Sequence, residues 1–190
     1  MLHKIGFLIS GFILFVSCGS NTSKKKQEVV KAHTTVVELD KCATLFTEAK
    51  RFDAILLKAT VVNNNIAEQA INAFYEFASN CKTDTLAPVF LLKAGQVAQS
   101  INKYTQAQSF FIKCTDEFPN FKNRGAALFL LAQLYDNASM LNNESEARTI
   151  YEQIIREYPK SPFADDSKAS IKNLGKTDEQ LVEEFLKKNK

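Results

Sequence analysis

The sequence predicts an all-α protein built from repeated helix pairs, and three observations support this fold class. Apolar residues recur at intervals of three and four along most of the 190-residue chain, which is the periodicity of amphipathic helices. No segment alternates apolar and polar residues in the manner of a β-strand. Two stretches in the second half of the chain also repeat each other, which is typical of helical repeat arrays.

The first element is a short apolar segment near the amino terminus. Residues 5–16 carry no charge, but twelve helical residues extend only about 18 Å, against roughly 30 Å for a bilayer core. The segment is therefore predicted to be the core of a signal peptide over residues 1–17. The stretch before Cys18 resembles the lipobox of bacterial lipoproteins, although Phe15 stands where that motif usually has leucine. This resemblance implies cleavage before Cys18 and lipidation of its thiol; the alternative is an ordinary secretory signal with an incidental cysteine.

Lipidation at Cys18 would hold the protein on a membrane surface, because two or three acyl chains make attachment effectively permanent. Residues 18–35 are mostly polar and predict a flexible tether, and residues 36–190 are predicted to form the repeat domain. In the sorting pattern of bacterial lipoproteins, Gly19 after the cysteine indicates the cell outer membrane. The absence of acidic residues from residues 20–23 favours its periplasmic face.

The predicted repeat domain contains three cysteines, Cys42, Cys81 and Cys114. The periplasm permits disulfides, so one pair is possible, but spacing alone does not select it. Free buried cysteines are an equally good interpretation. The formal net charge of +3 is close to neutral for a chain of this length, which indicates no nucleic-acid partner.

The internal repeat consists of two blocks, each with a pair of helices. Their matching positions are Leu91, Ala94, Gly95, Ala98, Ala107, Phe111, Cys114 and Pro119 in the first block, and Leu128, Leu131, Ala132, Tyr135, Ala147, Tyr151, Ile154 and Pro159 in the second. Small residues let the two helices of a unit approach closely. The prolines stop the second helix, because the residue before a proline is pushed away from helical angles.

Further helices are predicted on both sides of these blocks. Upstream, residues 70–81 repeat the spacing of a second helix and indicate a decayed third copy. Downstream, Ser161 and Pro162 form a helix start, with a capping hydroxyl followed by proline at the first helical position. A last helix opens at Thr177 with a capping box to Gln180, and it is predicted to be the polar terminal cap that a solenoid requires.

The block pattern resembles the tetratricopeptide repeat, whose helix–turn–helix units stack into a right-handed superhelix. The departures are leucines at the bulky first position and Cys114 where alanine is usual. The resemblance implies a right-handed helical solenoid of about three tetratricopeptide-like helix pairs with a C-terminal capping helix. It also implies a groove for peptides or partner helices, lined by the first helix of each unit. Carried over to this chain, the groove consists of Leu92, Gln96, Gln99, Phe129, Gln133, Asp136 and Asn137.

Composition argues against an enzyme. The chain has two histidines, His3 in the signal segment and His33 in the tether, so the predicted domain has none for general base or metal chemistry. No zinc, phosphate-loop or Ser-His-Asp pattern is present. Neither a catalytic residue nor a cofactor or metal site is therefore predicted.

The end of the repeat region resembles a narrower group. Residues 151–175 are similar to the ends of YbgF/CpoB (Tol–Pal-associated) and BamD-type repeat proteins, and especially to the small tetratricopeptide lipoproteins of Bacteroidetes. This resemblance implies a protein–protein interaction scaffold for cell-envelope assembly or division, with other envelope proteins as partners. The alternatives are an accessory lipoprotein that binds a small ligand or a glycan, and a purely structural spacer. Sugar sites usually stack on exposed aromatic rings, whereas the aromatic residues here lie mostly at repeat-core spacing and tryptophan is absent.

Overall fold

The computed structural model describes residues 21–61 and 63–188, and all regular structure in these ranges is helical. The eight helices are α1 (Asn21–Lys58), α2 (Asn64–Asn80), α3 (Ala87–Ser100), α4 (Tyr104–Glu117), α5 (Arg124–Asp136), α6 (Glu144–Glu157), α7 (Pro162–Asn173) and α8 (Asp178–Lys188). Consecutive helices from α2 to α7 pack against each other. The prediction of an all-α helical repeat fold is confirmed.

The chain divides after Asp40 into two compact units. In the described part of the first unit, residues 21–40 are helical, whereas the sequence predicts a flexible tether up to residue 35. This segment has no glycine or proline and includes several lysines, glutamates and an alanine, and these residues have favourable helix propensities. A polar composition indicates that a segment has no hydrophobic core. It does not prevent that segment from forming a helix. Cys18 and the signal segment lie outside the described residues.

In the second unit the helix pairs meet through small side chains, as the repeat pattern predicts. Ala94 and Ala132 are fully buried. A Cβ atom added to Gly95 would lie 2.4 Å from the Phe111 ring, so that aromatic residue occupies the space that a larger side chain would need. Phe111 and its repeat counterpart Tyr151 are also fully buried. Alternating small and large residues thus allow the close packing of successive helices.

The helix ends agree with the proline spacing. Helix α4 ends at Glu117, two residues before Pro119, and α6 ends at Glu157, two residues before Pro159. Helix α7 begins at Pro162 as predicted, but the Ser161 side chain makes no capping hydrogen bond. Its Oγ is instead buried without a hydrogen-bond partner among the described residues. The predicted capping role of Ser161 is therefore wrong, although the helix start is right.

A disulfide joins the first helix pair of the second unit. Cys42 on α1 and Cys81 after α2 are bonded, with their Cα atoms 5.8 Å apart. The adjacent Lys41 Nζ donates to Asn80 Oδ1 at 2.6 Å, so the two helices are linked covalently and by a hydrogen bond at the same point. Of the three cysteines whose pairing the sequence leaves open, Cys114 is the free one, and it is buried.

Helix α8 begins with the predicted capping box. The Thr177 backbone N–H donates to Gln180 Oε1 at 2.9 Å, and the Gln180 N–H donates to Thr177 Oγ1 at 3.4 Å. The surface of α8 is less polar than predicted, since Val182, Phe185 and Leu186 are between 56% and 66% exposed. In the part of the chain that the structure describes, no helix is both long enough and apolar enough to cross a bilayer.

Candidate interaction surfaces

The predicted groove residues fall into three groups in the structure. Gln96 on α3 and Gln133 on α5 have exposed side chains. They occupy the same position in the two repeat blocks, one residue after Gly95 and Ala132 respectively. We call these two residues the amide surface. Each side chain offers both hydrogen-bond donors and an acceptor to a partner.

The two apolar members of the predicted groove take part in core packing. Leu92 is 9% exposed. The partly buried Phe129 ring packs against Tyr151 at 5.8 Å between ring centroids and against Phe163 at 5.5 Å. Phe129 therefore links α5 to both α6 and α7, and it contributes to the contact between successive helix pairs. Contact of Leu92 or Phe129 with a partner stays a prediction.

The remaining groove residues are bonded within the protein. The Tyr151 hydroxyl donates to Asp136 Oδ2 at 3.1 Å, and Asn137 Oδ1 accepts from the backbone N–H of Ser139 at 2.8 Å. Burial raises the pKa of Tyr151 to about 12, so its hydroxyl stays protonated and donates at neutral pH. Gln99 Nε2 lies 3.8 Å from the sulfur of Met140. These three side chains support the end of α5 and the loop that follows it.

A partly buried ion pair connects α1 with α3. Asp53 is 8% exposed, and its carboxylate contacts the Lys93 ammonium, with Lys50 Nζ also 3.7 Å away. Lys93 Nζ lies 6.0 Å from the centroid of the Phe90 ring. Sequence reasoning missed this pair, because Asp53 and Lys93 are 40 residues apart and neither belongs to a recognisable motif.

A cleft of about 740 Å³ opens between the α2–α3 loop and the α4–α5 loop. We call it the loop cleft. Its lining includes Pro88 and Val89 from the start of α3, and Phe118 and Phe121 from the α4–α5 loop. Pro88 is buried and the other three are half-buried, so these side chains form an apolar floor. No single motif marks this surface, because it is made by two loops more than 30 residues apart.

Among the described residues, three charged side chains of the loop cleft are bonded within the protein, and a fourth is not. Lys82 Nζ and Glu117 Oε2 form an ion pair at 2.6 Å, and Asp84 Oδ1 accepts the backbone N–H of Leu86 at 2.8 Å. Lys122 lines the same cleft and is exposed. Within residues 21–61 and 63–188, its ammonium makes no ion pair or hydrogen bond. Both acidic groups of the lining are thus bonded internally, whereas one cation is not.

The equivalent junction between the next two helix pairs is bridged by Arg124. A Cβ atom added to Gly125 would lie 3.5 Å from the Tyr158 ring. Arg124 spans the junction, with Nε donating to the carbonyl of Thr115 at 2.8 Å and Nη1 donating to Glu157 Oε2 at 2.5 Å. The matching positions at the loop cleft are Ala87 and Pro88. Ala87 is fully buried and does not line the loop cleft, so no side chain at this position bridges the first junction as Arg124 bridges the second.

Two titratable groups near these surfaces have shifted pKa values. Partial burial opposes ionisation of Glu157, but hydrogen bonds from Gln153 and Arg124 outweigh it and lower the pKa of this carboxyl. Desolvation raises the pKa of the Cys114 thiol to about 12. Its Sγ lies 3.5 Å from the carbonyl of Pro88. A thiol in this state packs as a small apolar group and is a poor nucleophile. In the described portion of the chain, no three His, Cys, Asp or Glu residues gather as metal ligands would.

Comparison with known families identifies the repeat. Residues 126–161 match the tetratricopeptide repeat family, and this range covers most of α5, all of α6 and the proline turn that follows. A comparison with curated proteins finds no match, and neither does a comparison with solved structures. Residues 126–161 are therefore similar to a tetratricopeptide repeat, and repeats of that family generally mediate protein–protein interactions.

Proposed function

We propose that this tetratricopeptide-repeat protein is a lipid-anchored interaction scaffold of the bacterial cell envelope. In this proposal Cys18 carries the lipid, the anchor lies in the outer membrane, and the repeat domain faces the periplasm. The partners are other envelope proteins. The amide surface is the observation that carries the scaffold function, because Gln96 and Gln133 are exposed at the same position of consecutive repeat units.

The chemistry of the amide surface suits an extended partner segment. An extended chain presents backbone N–H and C=O groups in alternation. A glutamine side chain can donate to one of these groups and accept from another. Two glutamines on the first helices of consecutive helix pairs therefore provide repeated polar contacts that do not require a charged ligand.

The disulfide supports export from the cytoplasm. Disulfides persist in oxidising compartments such as the bacterial periplasm and are rare in the cytosol. Cys42 and Cys81 are bonded in the structure, which agrees with the signal segment that the sequence predicts. The proposed role in envelope assembly or division rests on the resemblance of residues 151–175 to Tol–Pal-associated and BamD-type proteins.

A cross-linked pull-down tests the scaffold proposal. Full-length protein is captured from its own membranes, and cross-linked partners are identified by mass spectrometry. The double variant Gln96→Ala/Gln133→Ala is compared with Gln69→Ala, which removes an exposed amide from α2. We expect envelope-assembly or Tol–Pal proteins to be recovered with the native protein and the control, and to be reduced by the double variant. Equal recovery with all three would contradict a role for the amide surface.

Fractionation tests the anchor separately. We expect Cys18→Ser to move the protein from the membrane fraction to the soluble periplasmic fraction, because the acyl chains supply nearly all of the membrane affinity. The control is Cys114→Ser, which changes a buried thiol within the domain. If Cys18→Ser stays with the membrane after a high-salt wash, the lipid-anchor proposal is wrong.

A further inference from the structure

We propose that α8 is a dimerisation surface, and that it binds the α8 helix of a second copy of this chain in antiparallel orientation. Val182, Phe185 and Leu186 lie three and four positions apart, so they share one face of the helix. We call these three residues the α8 stripe. Each is exposed over more than half of its surface. Pairing through the stripe requires neither the lipid anchor nor an envelope partner, and it leaves the amide surface on α3 and α5 accessible.

Phe185 occupies a helix position that is buried in the preceding helix pairs. It is the eighth residue of α8, as Phe111 is of α4 and Tyr151 is of α6. Those two rings are fully buried, whereas Phe185 is 66% exposed. Each unit of a solenoid buries its apolar surface against a neighbouring unit, and among the described helices none follows α8. The stripe therefore has the composition of a packing surface but lies in contact with solvent, which is typical of an interaction site.

The other side of α8 is bonded to the segment that precedes the helix. Lys176 Nζ lies 2.6 Å from Glu184 Oε1. Glu184 is one position before Phe185 and two after Val182, which places it on the side away from the stripe. The capping box between Thr177 and Gln180 fixes the start of the helix. A partner can therefore cover the stripe without breaking any of these bonds.

The charges beside the stripe favour a second copy in the reversed direction. Glu179, Glu183 and Lys187 follow one another at intervals of four, so they form one edge of the stripe, acidic first and basic last. A two-fold interface brings the same edge of both helices together. With the two Phe185 rings at its centre, an antiparallel pair places Glu183 of each copy opposite Lys187 of the other. A parallel pair would place like charges opposite each other.

Glu183 and Lys187 already form an ion pair within α8, and this pair is compatible with the dimer. Their charged atoms are 2.6 Å apart, and both side chains are at least 65% exposed. An exposed pair of this kind contributes little to stability. An ammonium has three donors and a carboxylate accepts several hydrogen bonds, so each lysine can contact the carboxylates of both helices. A second copy therefore adds ionic contacts and leaves no charge unpaired.

A membrane surface fits the stripe less well than a second copy does. Helices that lie in the membrane interface are typically rich in lysine and arginine on their polar face. Helix α8 instead contains four acidic and two basic residues, and anionic headgroups would repel it. Three apolar side chains from each copy make a small interface, at the low end of specific complexes, below about 1,200 Å² in total. We therefore expect a weak dimer.

Sedimentation velocity of the full-length protein in a density-matched detergent measures this association. The concentrations run from about 5 to 500 µM, the range over which weak interfaces dissociate. We expect monomer at the low end and dimer at the high end. Leu186→Gln removes one apolar side chain from each copy and keeps a good helix former. It should raise the dissociation constant at least tenfold, while circular dichroism shows unchanged helix content.

Charge reversal tests the contacts at the edge of the stripe. Glu183→Lys and Lys187→Glu should each weaken association at least tenfold, because like charges then face each other across the two-fold axis. An equimolar mixture of these two variants should associate, since one copy then presents two lysines and the other two glutamates. Lys168→Glu is the matched control. It reverses an exposed lysine of an ion pair within α7 and should leave association unchanged.

Oxidative cross-linking tests the orientation. An antiparallel pair brings position 183 of one copy near position 187 of the other. A mixture of Glu183→Cys and Lys187→Cys chains should therefore form the mixed disulfide in preference to a disulfide between identical chains. Mass spectrometry of the linked peptides distinguishes these products from any bond to another cysteine of the chain.

Four results would overturn the proposal. The first is a protein that stays monomeric throughout the concentration range, and the second is association that Leu186→Gln leaves unchanged. The third is equal weakening by Lys187→Glu and Lys168→Glu, and the fourth is preferential linkage of identical chains. Binding of the monomer to vesicles of phosphatidylcholine and phosphatidylglycerol, lost in Leu186→Gln, would assign the stripe to a membrane surface and would likewise refute the dimer.

Discussion

Replacing Gly95 by alanine measures how closely the α3–α4 pair is packed. In the native structure the new Cβ atom would lie 2.4 Å from the Phe111 ring, far inside van der Waals contact. That ring is fully buried, so it cannot move away without displacing its own neighbours. Overpacking a well-filled core costs about 1–3 kcal/mol, whereas alanine gains about 1 kcal/mol over glycine in a helix interior.

Because the buried ring cannot move aside, the overpacking cost lies in the upper part of that range, about 2–3 kcal/mol, and we expect Gly95→Ala to lower the free energy of unfolding by about 1–2 kcal/mol. For a domain of this size, that corresponds to a decrease in melting temperature of about 2–8 °C. The assay is urea denaturation followed by circular dichroism at 222 nm, supported by calorimetry. Unchanged urea dependence of the free energy would show that the change acts on the native packing and leaves the denatured state unaltered.

Gly125→Ala is the matched control, because it makes the same chemical change where there is room. The nearest ring atom of Tyr158 would be 3.5 Å from the new Cβ, which is ordinary contact. We expect this variant to be unchanged or more stable by about 0.5 kcal/mol. A Phe111→Leu background should also remove most of the cost of Gly95→Ala, because the clashing ring is absent.

The central expectation is that Gly95→Ala loses stability whereas Gly125→Ala does not. If Gly95→Ala is as stable as the native protein, the inferred close approach of α3 and α4 is wrong. If both variants lose the same free energy, alanine is disfavoured for a reason other than contact with Phe111.

Four further predictions follow from the described contacts. Cys42→Ser/Cys81→Ser should lower the free energy of unfolding by about 2–4 kcal/mol, because the disulfide closes a loop over a sequence separation of 39. Urea denaturation with and without reductant measures this loss. An effect of reductant on the variant would show that loss of the disulfide is not the cause. Cys114 should be unreactive toward a maleimide in the native state and should react once after denaturation, as mass spectrometry would show; rapid labelling of native protein would mean that the thiol is accessible. Asp53→Asn should destabilise the domain by about 1–3 kcal/mol, since it leaves a partly buried lysine without its charged partner. The same Asp53→Asn change should cost less free energy in a Lys93→Met background than in the native protein. Glu157 has a lowered pKa in the folded state. Its contribution to stability is therefore present above the unfolded pKa of about 4.3 and is lost as pH falls through the folded value. Because this ion pair is in contact with solvent, the contribution should amount to less than about 1 kcal/mol, and Glu157→Gln should remove that part of the acid dependence of the urea midpoint.

The core of the repeat could be predicted from sequence because close packing demands particular side chains at fixed spacing. A larger residue at Gly95 would meet the Phe111 ring, and Ala94 and Ala132 are fully buried. Prolines stop α4 and α6 by local sterics that depend on the adjacent residues alone. Such constraints are written into short stretches of sequence, and the structure confirms them.

The other features depend on residues that are distant in the chain. Three cysteines allow several pairings, and the choice of Cys42 with Cys81 becomes visible only when α1 packs on α2. The loop cleft arises from two loops joined by the Lys82–Glu117 ion pair, and neither loop indicates the other. Gln96 and Gln133 could be predicted to be exposed from their repeat position, whereas the internal bond of Asp136 to Tyr151 could not.

The disulfide also determines how the domain would respond to mechanical tension. Cys42 lies at the second position of the compact unit that starts at Lys41, and Cys81 lies between α2 and α3. A stretching force applied to the two ends of the chain would pass from Cys42 through the sulfur bridge to Cys81 and then into α3. The 39-residue separation between the two cysteines would be bypassed, so this part of the first helix pair would carry no tension. Extension under load would therefore come from residues outside that loop, and reduction of the bridge would add its length to the extensible chain.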